Sequence, residues 1–169
     1  MSANTRLTTR AGVQLDIRFA KPGDEFAIDQ FFDQLSPEDR RFRFLGTAIR
    51  VGRAVIEAMT RHDDRDATWL ADEAESGVLV ALAMLSFNAQ GDRAEVAVAV
   101  RSDSKDRGIG WELMRFAMDQ AEARGAKWVE AIESRDNVAA VNLEREMGLS
   151  VESVEGDSSL VKVSRKLGA

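Results

Sequence analysis

Residues 93–125, RAEVAVAVRSDSKDRGIGWELMRFAMDQAEARG, constrain the fold more than any other stretch. An alternating apolar run, the period of a strand, leads through a glycine-bearing turn into a segment whose apolar residues recur at helical spacing. The stripe is Ile109, Leu113, Phe116, Ala117 and Ala121, and Gly125 suits the helix's C-terminal end. Lys127–Ile132 reads as a further strand, so the unit is strand, helix, strand. Such a crossover places two parallel strands side by side. The first turn of its helix carries N–H groups without intrahelical partners and partial positive charge. Gly108 and Gly110 have no Cβ to keep a ligand from that backbone, and Lys105 and Arg107 add full charges beside it. An anionic, phosphate-bearing ligand is the expected occupant. A merely tight strand-to-helix turn is the plain alternative, but it needs neither two glycines nor flanking cations.

Spacing separates the phosphate loops. Gly-x-x-x-x-Gly-Lys-Ser/Thr does not occur. A dinucleotide fingerprint needs a third glycine where this chain has Leu113. What remains, a cation, two residues and then Gly108-Ile109-Gly110, resembles the pyrophosphate loop of the GNAT superfamily of acyl-CoA-dependent N-acetyltransferases, with Lys105 at the place usually held by Arg or Gln. Lysine keeps the charge without arginine's planar fork. A second matching element is IESRDNVAAVNLEREMGL, residues 132–149, where Asn137, Ala140, Leu143, Gly148 and Leu149 fall at the family's positions. More broadly, residues 15–166 resemble the acetyltransferase domain of bacterial Pat-like protein-lysine acetyltransferases, through FFDQLSPEDRRFRF, HDDRD, AEVAVAVRSD and NLEREMGL.

The resemblance implies a single α/β domain with a mixed, mostly antiparallel sheet of about seven strands. Helices flank the sheet, and the β-α-β unit binds acyl-CoA at its centre. It assigns the pyrophosphate to Lys105, Asp106, Arg107, Gly108, Ile109, Gly110 and Trp111. The acetyl-pantetheine arm goes to the backbone of Val98, Ala99 and Val100, and to Asn137, a residue equally suited to cap the following helix. The implied cosubstrate is acetyl-CoA, with no metal. The acceptor is an amine, foremost a protein lysine. A small-amine acceptor and a non-catalytic acyl-CoA sensor are the competing readings, and a homodimer is compatible with all three.

Acetyl transfer needs a neutral amine, and a lysine with pKa about 10.4 is charged at pH 7. In the Pat-like subfamily a glutamate at the place of Glu95 serves as base, and the small Ala97 and Ala99 leave room beside it. The alternative for Glu95 is a charge on the solvent side of a strand. Glu130, Asp33 and His62 are weaker candidates for chemistry. Where many family members place a tyrosine acid, this chain has Glu144, and it contains no tyrosine. Glu144 could protonate the leaving thiolate only if burial raised its pKa far above about 4.3. Otherwise it is a solvated helix residue and water supplies the proton.

Composition narrows the partners. With 23 Lys and Arg against 29 Asp and Glu, the net charge of −6 argues against nucleic acid. No apolar run nears the ~20 residues of a membrane span, and the N-terminus lacks the apolar core of a signal peptide. The chain has no cysteine and one histidine, so disulfides and thiolate chemistry are excluded. A cytoplasmic location follows as the default expectation. Residues 1–12 read as a mobile tail and 13–169 as one domain. Helices are expected after Asp24 and from Pro37, within Val51–Thr60 and over Asn137–Met147. Strands are expected at Gln14–Phe19, Ala67–Asp72, Val78–Phe87 and Ala94–Val100, with a closing hairpin at Leu149–Glu155 and Leu160–Val163.

Overall fold

The run LVALAMLSF, Leu79–Phe87, is apolar at nearly every position and is buried on both faces over most of its length. Such a strand belongs mid-sheet with helices on either side. The computed structural model describes residues 4–44 and 51–168. Residues 1–3, 45–50 and 169, assigned above to the tail and the domain, lie outside the described residues. In chain order the elements are β1 (Thr5–Thr8), β2 (Gln14–Phe19), α1 (Glu25–Asp33), α2 (Pro37–Phe44), α3 (Arg53–Met59), β3 (Asp66–Glu73) and β4 (Leu79–Phe87). Then come β5 (Arg93–Val100), α4 (Ile109–Ala123), β6 (Trp128–Ser134), α5 (Val138–Glu146), β7 (Ser150–Val154) and β8 (Asp157–Lys166).

The strands form one eight-stranded sheet in the order β1-β2-β3-β4-β5-β6-β8-β7. All neighbours are antiparallel except β5 and β6, which the α4 crossover makes parallel. On one face α4 buries Ile109, Leu113 and Ala117 against Leu15, Trp69, Leu85 and Val96. On the other, Ile28, Phe31 and Phe32 of α1 and Ile56 of α3 cover Leu70 and Leu82. Full burial of such a side chain contributes about 1.5–3 kcal/mol, so the core, not surface ion pairs, fixes α4 against the sheet.

Two expectations change. The strand count is eight rather than seven, because Thr5–Thr8 pair with β2 as an edge strand where a tail was expected. TRLT carries a single large apolar residue and gives no alternation to read, yet its backbone pairs from Thr5↔Ile17 to Thr8↔Gln14, and Arg6 bonds Asp16 across the pair at 2.8 Å. The last strand also runs well past Leu160–Val163, since its polar ends pair with β6 and β7. Elsewhere Ser36 caps α2 as expected, its Oγ accepting from the Asp39 N–H at 3.1 Å. Asp24 precedes α1 without a side-chain cap; its carboxylate takes Arg18 at 2.8 Å and the Lys21 N–H at 2.8 Å.

Candidate active site

The ladder between β5 and β6 is short. It runs Arg93↔Trp128, Ala94↔Val129 and Glu95↔Glu130 and then stops. Both strands continue: β5 pairs with β4 as far as Val100, and β6 with β8 as far as Ser134. Past Glu95 the two strands therefore splay, and Val96–Val100 present a backbone edge without a sheet partner on the β6 side. Buried backbone polar groups need partners, so this edge is a row of positions that a ligand's amides would satisfy. The opening forms part of a cleft of about 560 Å³.

At the wide end lies the glycine loop. Asp106 (φ 61°) and Gly108 (φ 77°) are both left-handed, a backbone of the kind that turns successive N–H groups into an anion-binding concavity. Gly108 is the residue before the first turn of α4. A Cβ there would be strained and would meet Thr9 at 3.4 Å. Gly110 is different. It is helical, and a Cβ would make ordinary contacts at 3.7 Å with Leu143 and Val100. Special backbone geometry therefore applies to Gly108 alone; what Gly110 leaves is room at the cleft wall.

Both loop cations are paired. Lys105 Nζ bonds Asp39 Oδ1 of α2 at 2.5 Å, and Arg107 bonds Glu73 Oε1 at the end of β3 at 2.6 Å. Burial would raise the Asp39 carboxyl, but hydrogen bonds from Lys105, Ser102 and Ser36 outweigh it and hold it below the usual range. Ion pairs this exposed contribute only about 0–1 kcal/mol, so an arriving phosphate can draw either cation away at small cost. No motif or spacing in the sequence marks Arg10. The β1–β2 turn carries it to the loop, its guanidinium 4.6 Å from the Trp111 ring.

At the narrow end the cleft is lined by charged side chains. Glu95, the last residue of β5 paired with β6, lies exposed on the rim, on the sheet face that α1 and α3 cover. Arg43 of α2 lines the same wall and donates to Met84 Sδ at 2.9 Å. Burial pulls its guanidinium down to about 10, against the opposing fields of Glu95 and Glu133. Asn137 caps α5, its Oδ1 accepting from the Ala140 N–H at 3.4 Å, and its Nδ2 donates to Glu133 Oε2 at 3.4 Å. It also lines the cleft, so both sequence readings of this residue are compatible with its position.

Glu144 is not solvated. It is 1% exposed and neighbours Glu133, and its Oε2 is buried without a partner among the described residues. Burial first, and then the neighbouring Glu133 charge, push its carboxyl up to about 9, leaving it protonated at neutral pH. Burial also raises Glu133, while hydrogen bonds from Glu144 and Asn137 and the field of Arg43 oppose that rise.

The weaker candidates fall outside the cleft lining. Glu130 is held by Arg93 at 3.2 Å and Lys162 at 3.0 Å, Asp33 is exposed, and His62 stacks on Phe19 at 4.5 Å between ring centroids. Among the described residues no group of three or more His, Cys, Asp or Glu is placed to hold a metal, and no helix is long and apolar enough to cross a membrane.

The site is thus a splayed parallel pair opening onto a glycine-bounded helix start. The model of the Acetyltransferase (GNAT) family matches residues 28–149. The chain belongs to the GNAT acetyltransferase family. Over 148 residues it is 27% identical to Acetyltransferase PA5475 of Pseudomonas aeruginosa, covering 86% of this chain and 80% of that one. Among solved structures, the GNAT domain of S. lividans PAT superposes with a TM-score of 0.88 over 97% of each chain at 21% identity. Spermidine N-acetyltransferase from Vibrio cholerae, in complex with CoA and spermine, has a TM-score of 0.73 and 18% identity, covering 90% of this chain and 95% of that one. The two structures share the fold, and the family membership makes this GNAT protein an acyltransferase.

Proposed function

We propose that this GNAT protein moves an acetyl group from acetyl-CoA to a primary amine, foremost the side chain of a protein lysine, by direct attack. The observation that carries this reading is the junction of the open β5 edge with the first turn of α4 in one cleft. Diphosphate would rest on the N–H groups of Gly108, Ile109, Gly110 and Trp111, with Lys105, Arg107 and the loop backbone at Asp106 beside them. From Val100 to Glu95 the strand rises roughly 17 Å at about 3.3 Å per residue. An extended pantetheine arm laid along it would pair its amides with Val98, Ala99 and Val100, pass Asn137, and bring its thioester toward the vertex. A backbone N–H there would polarise the thioester carbonyl, a contribution of about 3 kcal/mol where such a donor has been removed from other enzymes.

At the vertex the amine nitrogen attacks the carbonyl carbon. Glu95 accepts one proton from the incoming ammonium, directly or through one water, and the second N–H proton passes to solvent as the amide forms. As the C–S bond breaks, Glu144 gives its proton to sulfur. A thiol like that of coenzyme A has a pKa near 8.5, so an acid of similar strength is matched to the task. Strings shared with Pat-like lysine acetyltransferases favour a protein acceptor, and the carboxylates Glu95 and Asp39 on the lining suit a cationic one. The deciding assay follows thiol release from acetyl-CoA with a lysine-rich protein, with a panel of polyamines, amino acids and aminoglycosides, and with neither. Release with the protein and not the panel is expected. Release only with a small amine would move the acceptor to that class, and no release with any acceptor would sink the proposal.

A further inference from the structure

Glu133, near the end of β6, and Glu144, within α5, belong to different elements and meet on the cleft wall. Two neighbouring carboxyl groups, one of them fully buried and the other half-buried, resist joint ionisation, so the pair holds a proton. Its surroundings are asymmetric. Glu133 accepts the Asn137 amide, Nδ2 to Oε2 at 3.4 Å, and feels the Arg43 guanidinium. Glu144 has neither; Glu133 is its charged neighbour, and its Oε2 lies buried with no hydrogen bond among the described residues. The proton therefore sits on Glu144, whose O–H donates to Glu133. Asn137 is itself fixed as the cap of α5, which ties the position of Glu133 to the helix that carries Glu144.

We infer that Glu133 is a positioning residue for acetyl transfer, holding the Glu144 carboxyl protonated and oriented on the cleft wall so that it can load the departing sulfur. This rests on the acid role proposed for Glu144. In the step concerned, the C–S electron pair goes to sulfur and the Glu144 O–H proton follows it, leaving two adjacent carboxylates. That state is disfavoured by the Glu133 charge, so Glu144 takes a proton back from water once the thiol has left. Other charged groups on the lining are Arg43 and Asp39 of α2, Glu95 of β5, and Lys105 and Asp106 of the loop. Of these, Arg43 acts on the pair, through Glu133.

The test combines carboxyl-carbon NMR titration of the full chain with pH profiles of kcat, in the native protein and in Glu133→Gln, Glu133→Asp and Glu144→Gln. One carboxyl is expected to titrate above neutrality in the native protein and to vanish in Glu144→Gln. In Glu133→Gln the like charge is gone and the new amide can donate to an ionised Glu144. Its titration and the alkaline limb of kcat should both move about one pH unit or more toward acid, while Glu133→Asp keeps the charge and restores most of the native profile. A Glu144 titration unmoved in Glu133→Gln overturns the inference, whatever the rates. A moved titration with an unmoved alkaline limb instead sinks the acid role of Glu144, and with it the part given to Glu133. If Glu133→Gln does not fold, the native protein decides: both carboxyls titrating below about pH 6 overturns the pairing.

Discussion

At the wide end of the cleft the chain offers a ligand mainly backbone: the first turn of α4, the left-handed Asp106 and Gly108, and the free edge of β5. At the narrow end it offers side chains, Glu95 on the rim and the Glu133–Glu144 pair on the wall. The wide end is contiguous in sequence and stabilised by a helix that the core already holds. The narrow end is discontinuous, and burying the Glu144 carboxyl beside Glu133 works against the fold. Under the proposed reading, binding is built from groups every residue carries, whereas the chemistry depends on side chains that distant parts of the chain bring together.

The sharpest way to break that division is Gly110→Glu. The site tolerates a Cβ, at 3.7 Å from Leu143 and Val100, so the fold should survive. A carboxylate beside the diphosphate position should weaken coenzyme A binding by more than about 100-fold, since a like charge opposes the phosphate where the helix dipole favours it. Calorimetry and a thermal melt check the two halves of this expectation, and unimpaired binding would remove the wide end from the ligand site. Glu95→Gln comes next. It keeps the shape of the rim and removes the proposed base, so kcat should fall by about 10²–10⁴-fold with coenzyme A affinity unchanged.

Glu144→Gln should lower kcat less, by about 10–100-fold, because water can protonate a thiolate of this basicity at some rate. The native kcat should fall as pH rises through about 9, where Glu144 loses its proton. The stability effect has the opposite sign. Folded Glu144 keeps its proton up to about pH 9, while the unfolded carboxyl loses it near 4.3. Between those values the folded state binds more protons, so this group's contribution to stability declines as pH rises. Glu144→Gln should therefore melt several degrees higher than the native protein at pH 8 and show little gain near pH 4. A lower melting point at pH 8 would contradict the buried-acid arrangement. The smallest effect is expected at Lys105→Ala, a several-fold rise in the KM for acetyl-CoA, because the lysine is one donor among several and must first leave Asp39.

Residues 93–125 carried the strand, the loop and the helix in plain periodicity, and helix start and cleft wall are where Gly108 and Gly110 indicated. Asn137 was likewise legible as a cap. By contrast, nothing local marks Thr5–Thr8 as a strand, because an edge strand needs a partner more than a pattern. Nor does any spacing join Glu133 to Glu144, or carry Arg10 to Trp111. Local sequence also shows only that Gly108 and Gly110 lack a side chain, not that the first serves a positive φ and the second leaves space.

By itself the sequence determined the β-α-β unit and its glycine-bearing turn, because periodicity, glycine and helix ends act over a few residues. Only the tertiary structure decided that β5 and β6 part after Glu95 and that Glu144 is a buried, protonated acid. Strand divergence and desolvation depend on what packs alongside, and those neighbours come from distant parts of the chain.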